Sequence, residues 1–335
     1  MLLAIAVLAA VVVAGGGLAA SRILAYDAAV SKVWNLPLAD VKAPALDAPR
    51  FALEWALTHV TANDLAVAAA GESEGGAAAS TAGFAKEVAV YQRGKHLAEF
   101  IGACNDCDGA DFATARVIDM GPVGRIVPPN ITMGGVLAAY SDAEFQRLLV
   151  SGVKRDGTTL RMMPAGDFRW WPDADVMALL AFLRVQPPSA TPSGTTTVGL
   201  LGKILDQTDM LALTIAPRLA ATPRQVASEP TPSTEYGKHL GGLCMGCHGA
   251  TLSGGPIPGA PADLPIPANI TPHQTGIAHY DFAKIEVLLR TGVKPDGTPL
   301  NPFMPVGALK NMSDVEMHAL WAWLQTVEAK PFGTR

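Results

Sequence analysis

The sequence predicts a mostly α-helical protein that carries one helical block twice, behind an apolar N-terminal run. Three observations predict it. Helix-start signals recur, Ser141-Asp142-Ala143-Glu144 and Ser313-Asp314-Val315-Glu316 among them, while no stretch sustains the alternation of a strand. The four cysteines fall into two Cys-x-x-Cys pairs, Cys104/Cys107 and Cys244/Cys247, spaced 140 residues apart. Glycine and proline are plentiful, 33 and 26 of 335 residues, but follow no period, which points to helices joined by long loops and excludes a collagen-like chain. An apolar share of 49% excludes a disordered chain. A net charge of −5 with no block of Lys or Arg excludes nucleic acid as a partner.

Residues 1–25 hold the apolar run. Leu2 to Ala20 are all apolar or small and end at Ser21 and Arg22. As a helix the run reaches about 28 Å, enough to cross a bilayer core of about 30 Å. The small residues of Gly17-Leu18-Ala19 also suit a cleaved export signal. The length of the run and the lack of Lys or Arg ahead of it favour an uncleaved anchor. Residues 26–85 read as an extracytoplasmic linker: Pro turns and a short apolar piece with Trp34, Phe51 and Trp55, then an Ala/Gly/Ser/Glu-rich stretch over 62–85.

The repeat occupies 86–188 and 232–335, with 189–231 as a second linker that holds a helical apolar piece from Leu200 to Leu219. Gly94-Lys95-His96-Leu97 matches Gly237-Lys238-His239-Leu240, and Asn130-Ile131-Thr132 matches Asn269-Ile270-Thr271. Further on, Gly152-Val153-Lys154 matches Gly292-Val293-Lys294, and Met163-Pro164 matches Met304-Pro305. Order and spacing are both kept, the mark of a duplication. Within each block, Ser141 opens a helix that Gly152 ends, and Asp281 caps the matching helix with Phe282, Ile285, Leu288 and Leu289 on its apolar face. Ser313 opens the last helix; its partner runs from Asp173 to the stop at Pro187-Pro188.

Chemistry enters with Cys244-Met245-Gly246-Cys247-His248, the Cys-x-x-Cys-His attachment sequence for c-type haem. Two thiols at this spacing add to the two vinyl groups of one porphyrin, and the adjacent His is held under the iron. A thioredoxin-like site would need a βαβ context, and a zinc ribbon a second Cys pair within about 20 residues; neither is present. Met304, in the Pro-bounded turn Pro302-Phe303-Met304-Pro305, stands where a sixth ligand is needed. Met/His ligation raises the potential, as an electron carrier requires.

On these residues, with Ser253-Gly254-Gly255-Pro256 and Asn269-Ile270-Thr271-Pro272, both blocks resemble the class I cytochrome c domain. The chain is similar to the membrane-anchored di-haem c-type cytochromes of bacteria, whose modules also form cytochrome subunits of alcohol and aldehyde dehydrogenases. The resemblance implies two tandem cytochrome c-like domains after a transmembrane helix. It implies haem c on Cys244 and Cys247 with His248 and Met304 axial. It also implies single-electron transfer, not catalysis, between a dehydrogenase or quinol-oxidising complex and a terminal acceptor. Haem is attached to such proteins after export, so the domains are expected on the periplasmic side of the cytoplasmic membrane.

The first block departs from this pattern. Cys104-Asn105-Asp106-Cys107 is followed by Asp108 where the proximal His belongs, although Met163 is in place. A carboxylate is a hard ligand, poorly matched to ferrous iron. Three readings stay open: no haem, with free thiols or a disulfide; a haem on Cys104 and Cys107 ligated by Asp108, His96 or Met163; or a recent change at a site built for His. A haem with an open position there would suit a peroxidase-like or haem-sensing protein, the alternative function. His59, His273, His279 and His318 read as scaffold or surface residues.

Overall fold

The computed structural model describes residues 2–60, 76–221, 223–226, 230–257 and 264–335, with side chains from 17 and, after the gap, from 82. The described chain is mostly helical and divides into two compact units. The first comprises 1–94, 104–169 and 173–224; the second comprises 95–103, 170–172 and 225–335. Two short pieces of the first repeat, 95–103 and 170–172, fall in the second unit.

In the first unit, α1 runs unbroken from Leu2 to Ser31. Among the described residues no helix is long and apolar enough to cross a membrane. The anchor reading rests on side chains 2–16, which lie outside the described ones. Residues 26–85 are not simply a linker: α1 continues through Ser31, α2 spans Arg50–His59, and α3 spans Gly76–His96. Residues 61–75, where the linker reading is strongest, lie outside the described residues.

Next come α4 (Cys104–Asp108), strands β1 (Ile118–Asp119) and β2 (Gly124–Ile126), and α5 (Asp142–Ser151). α6 (Ala165–Phe168) and α7 (Asp173–Arg184) follow. Ser141 and Glu144 form the reciprocal capping box of α5, and Gly152 ends it with φ 66°, a left-handed turn that glycine adopts without steric cost.

The stretch 189–231 is not a free linker either. Its residues 189–221 pack into the first unit: β3 (Thr197–Val198) pairs antiparallel with β2, which pairs with β1. The apolar piece 200–219 is not one helix but two short ones, α8 (Leu200–Gln207) and α9 (Ala216–Leu219). Asp206 breaks it. Its buried carboxylate accepts from Leu213 N at 2.8 Å, Thr214 N at 2.9 Å and Thr214 Oγ1 at 2.7 Å, which turns the backbone back on α8. Arg218 closes the loop with a 2.9 Å bond to the same carboxylate.

The second unit is simpler: α10 (Thr234–His248), α11 (Phe282–Thr291), α12 (Val306–Leu309) and α13 (Asp314–Leu324). Asp281 caps α11, and the Ser313–Glu316 capping box opens α13. α10 and α13 cross where Gly237 lets them touch: a Cβ there would lie 2.5 Å from the Ala319 carbonyl carbon and 2.8 Å from Trp323 Cβ. The same crossing recurs in the first unit, where a Cβ on Gly94 would lie 2.9 Å from the Ala178 carbonyl carbon and 2.5 Å from Phe182 Cβ. Asn130 and Asn269 also match. Each is buried and accepts from the backbone N–H and hydroxyl of the Thr two residues on.

The repeats part company before the first Cys pair. Leu97 to Cys104 is three residues longer than Leu240 to Cys244. Three residues inserted into a continuous helix would carry the pair about 4.5 Å along the axis and about 60° off its face. The chain instead ends α3, makes a π-helical turn over Leu97–Ile101, and passes through Ala103 at φ 44° before α4 begins.

Candidate functional site

In the second unit, the last turn of α10 carries the Cys-x-x-Cys-His motif. Cys244 is half-buried and Cys247 exposed, both as free thiols, and burial pushes the Cys244 thiol up to about 11. His248 is buried at 7% exposure, and its Nδ1 lies 2.7 Å from the carbonyl oxygen of Ala268. A carbonyl can only accept, so Nδ1 carries the proton and Nε2 keeps its lone pair for a metal. Burial lowers the imidazole pKa against the Ala268 bond, and the Arg335 charge lowers it further, so the ring is neutral at neutral pH. Two thiols and a neutral, oriented imidazole are the donor set that a covalent haem requires.

Met304 sits half-buried in the turn before α12, with Met304 N donating to Asn301 O at 2.9 Å and Val306 N donating to Met304 O at 2.8 Å. Pro305 follows at φ −78°, ψ 58°. In the first unit Met163 occupies the matching turn, and Pro164 has φ −78°, ψ 57°. The proline conformation and the bond to the methionine carbonyl are thus built twice, but the approach differs: Met163 N donates to Arg161 O at 2.8 Å after a left-handed Met162 at φ 60°.

The backbone just after the Cys pairs is repeated more closely. Gly109 and Gly249 both have φ 83°, and Phe112 and Leu252 both take left-handed values, 56° and 60°. Each of the latter donates its N–H to that glycine's carbonyl at 2.9 Å. The side chains differ. Asp108 has no hydrogen-bond partner among the described residues, and burial pushes its carboxyl up to about 7. Burial, then the Asp108 charge, pushes the Cys104 thiol up to about 12, and Cys107 shifts in the same direction for the same reasons. A desolvated carboxyl beside two protonated thiols does not replace a neutral imidazole, so the donor set here does not fit a His-ligated haem.

His96 does not replace the missing ligand. Its Nε2 is 2.9 Å from both carboxylate oxygens of Glu316, within the second unit. Glu316 is buried at 1% exposure and also accepts from Ser313 N at 2.8 Å and Tyr236 OH at 3.3 Å. Burial opposes its ionisation, but the bonds from His96 and Ser313 prevail and hold its carboxyl below the usual range. The matching His239 is stacked under Trp170, ring centroids 4.9 Å apart. Both histidines therefore serve the scaffold.

The surroundings of the two methionine turns differ as well. In the first unit, Trp34 N donates to Gly157 O at 2.8 Å, Ile215 N to Leu160 O at 3.2 Å, and Met162 N to Leu213 O at 3.0 Å, so the chain's own segments cover the 152–162 hairpin. Val153 inside it is 0% exposed, whereas Val293 in the matching hairpin of the second unit is 37% exposed and Phe303, beside Met304, 51%. Sequence reading missed the Ala268 carbonyl that orients His248. The only signal was its place just before the repeated Asn269-Ile270-Thr271.

Residues 235–328 match the cytochrome c family. The fructose dehydrogenase cytochrome subunit of Gluconobacter japonicus is 33% identical over 135 residues, 36% of this chain and 28% of that protein. The alcohol dehydrogenase (quinone) cytochrome c subunit of Gluconacetobacter polyoxogenes is 36% identical over 87 residues, 24% of this chain and 19% of that protein. The gluconate 2-dehydrogenase cytochrome c subunit of Pantoea cypripedii is 34% identical over 87 residues, 24% of this chain and 20% of that protein. The matches thus span under a third of each relative's length. The chain contains a cytochrome c domain, and such a domain implies covalently bound haem c.

Proposed function

We propose that this protein is a single-electron carrier working through one haem c in its second unit. Cys244 and Cys247 would hold the porphyrin by thioether bonds, and His248 and Met304 would offer its iron a nitrogen and a sulfur ligand. Haem held there would supply one-electron chemistry, and His/Met ligation would set its potential high. The chain's own residues orient and shield. Ala268 fixes the His248 tautomer, the Gly237 crossing holds α10 against α13, and burial of His248 keeps it unprotonated. The observation that carries this reading is the His248–Ala268 bond at the end of a Cys-x-x-Cys turn.

The first unit is, in this reading, a second cytochrome c-like domain of the same ancestry that has lost its proximal ligand. The partners are redox proteins: a dehydrogenase or quinol-oxidising complex as donor and a terminal acceptor. This is supported by relatives named as cytochrome subunits of dehydrogenases. The run Leu2 to Ala20 anchors the chain once in the cytoplasmic membrane with both units on the periplasmic side, where haem is attached. Cys244→Ser with Cys247→Ser is the direct test: the purified variant is expected to carry no covalent haem and to accept no electron. A variant that keeps a covalent, redox-active haem would refute the assignment.

A further inference from the structure

We propose that the turn at the C-terminal tip of α8, residues 208–211 with exposed Met210, rests on the bilayer surface, so that the first unit meets lipid with one particular end. This rests on the reading of Leu2 to Ala20 as a membrane-spanning run and adds to it a second contact. α1 is one helix from Leu2 to Ser31, so the apolar run and the segment that docks on the first unit form a single rod. The docked segment is held firmly. Tyr26 is buried in a cluster with Ile126 and Leu213, and Val30 and Val198 pack against it.

Two polar ties give α8 its direction. Arg22 Nη1 donates to Gln207 O at 2.7 Å, and Lys203 Nζ donates to Asp27 Oδ1 at 2.6 Å. Later residues of α1 meet earlier residues of α8, so the helices run antiparallel and the C-terminal end of α8 points along α1 toward the apolar run. Arg22 is the first charge after that run and marks the headgroup level. Gln207 lies at that level, and Met210, folded back by a 3.0 Å bond from its N–H to Leu205 O, sits at the tip. Leu200, at the other end of α8, is about 10 Å further from the membrane.

The tip is chemically suited to the headgroup–acyl boundary. Met210 is 65% exposed, and on α1 Leu18 and Leu24 are 61% and 69% exposed. The charges at the tip are already matched: Arg218 pairs with both Asp206 and Asp209, and the Arg22 guanidinium is bonded to the end of α8. Met210 is the exposed apolar residue of this turn, beside exposed Thr208 and an exposed Asp209 whose charge Arg218 already matches, so a zwitterionic bilayer suffices and anionic lipid is not needed. Leu200 gives an internal control, because at 64% it is as exposed as Met210 but lies at the wrong end of the helix.

The test places a photoreactive benzophenone amino acid at Met210 or at Leu200 of the full chain, reconstituted in phosphatidylcholine nanodiscs. Lipid adducts on each peptide are then read by mass spectrometry after irradiation. Both positions are exposed, so both variants are expected to fold. Lipid labelling at 210 is expected to exceed that at 200 several-fold. If the chain enters nanodiscs but labels equally at both positions, or more at 200, the proposed contact is overturned and the anchor stands. If the chain does not enter nanodiscs, both are overturned.

Discussion

The crossing of α10 over α13 makes a matched pair of substitutions on one helix move in opposite directions. At Gly237 a new Cβ would fall 2.5 Å from the Ala319 carbonyl carbon and 2.8 Å from Trp323 Cβ, while at Gly242 nothing lies within 4 Å. Ordinary carbon contacts need 3.5–4.0 Å, so Gly237→Ala must drive the helices apart by about 1 Å, and the obstacle is backbone that cannot swing aside. Overpacking of this kind costs about 1–3 kcal/mol and sometimes more, against a gain of about 1 kcal/mol in helix propensity. Gly242→Ala keeps the gain without the clash. In a unit of this size 1 kcal/mol moves Tm by about 4–8 °C. Thermal unfolding followed by circular dichroism and by haem absorbance should therefore show Gly237→Ala lower by up to about 15 °C and Gly242→Ala higher by about 4–8 °C. Equal shifts, or a stabilised Gly237→Ala, would refute the close crossing.

Three further outcomes follow from the same structure. Asp206→Asn removes the charge that five donors address and should cost about 3 kcal/mol at neutral pH in denaturant titrations. Burial opposes ionisation of Asp206, but the bonds from Arg218, Thr214 and Leu213 hold its carboxyl below the usual carboxylate range. Its contribution is therefore present above the unfolded value of about 4 and lost as pH falls through the folded one, so wild type and variant should converge in acid. Asp108→His restores Cys-x-x-Cys-His on a turn whose backbone already matches the second unit, and should raise covalent haem by one per chain; an unchanged ratio would mean that more than the ligand has been lost. Met304→Ala should leave the covalent haem in place but lower its midpoint potential, and an unaltered potential would remove Met304 from the iron.

The parts of the fold visible in the sequence are those fixed within a turn or two of chain. The Ser141 and Ser313 capping boxes and the left-handed glycines after α5 and α11 depend on neighbours three or four residues away, and each appears where its residues stand. The Cys-x-x-Cys-His turn is local in the same sense. Residues 189–221 read as a linker because their composition is that of one. Their structure comes from partners far along the chain: β2 for Thr197 and Val198, and Leu160 and Met162 for Leu213 and Ile215. The repeat itself aligns Gly94-Lys95-His96-Leu97 with Gly237-Lys238-His239-Leu240 ahead of each Cys pair. What it could not show is where three extra residues would be absorbed, which the π turn at Leu97–Ile101 and left-handed Ala103 resolve. The Ala268 carbonyl was hidden for a different reason: any residue offers a carbonyl, so no side chain marks it.

The pyridine haemochrome ratio of the full chain, combined with a spectroelectrochemical titration, tests whether the second unit holds a single redox-active haem. One covalent haem per chain and one reversible one-electron transition are expected. Two haems per chain, or a haem that remains after Cys244 and Cys247 are both replaced by Ser, would contradict it.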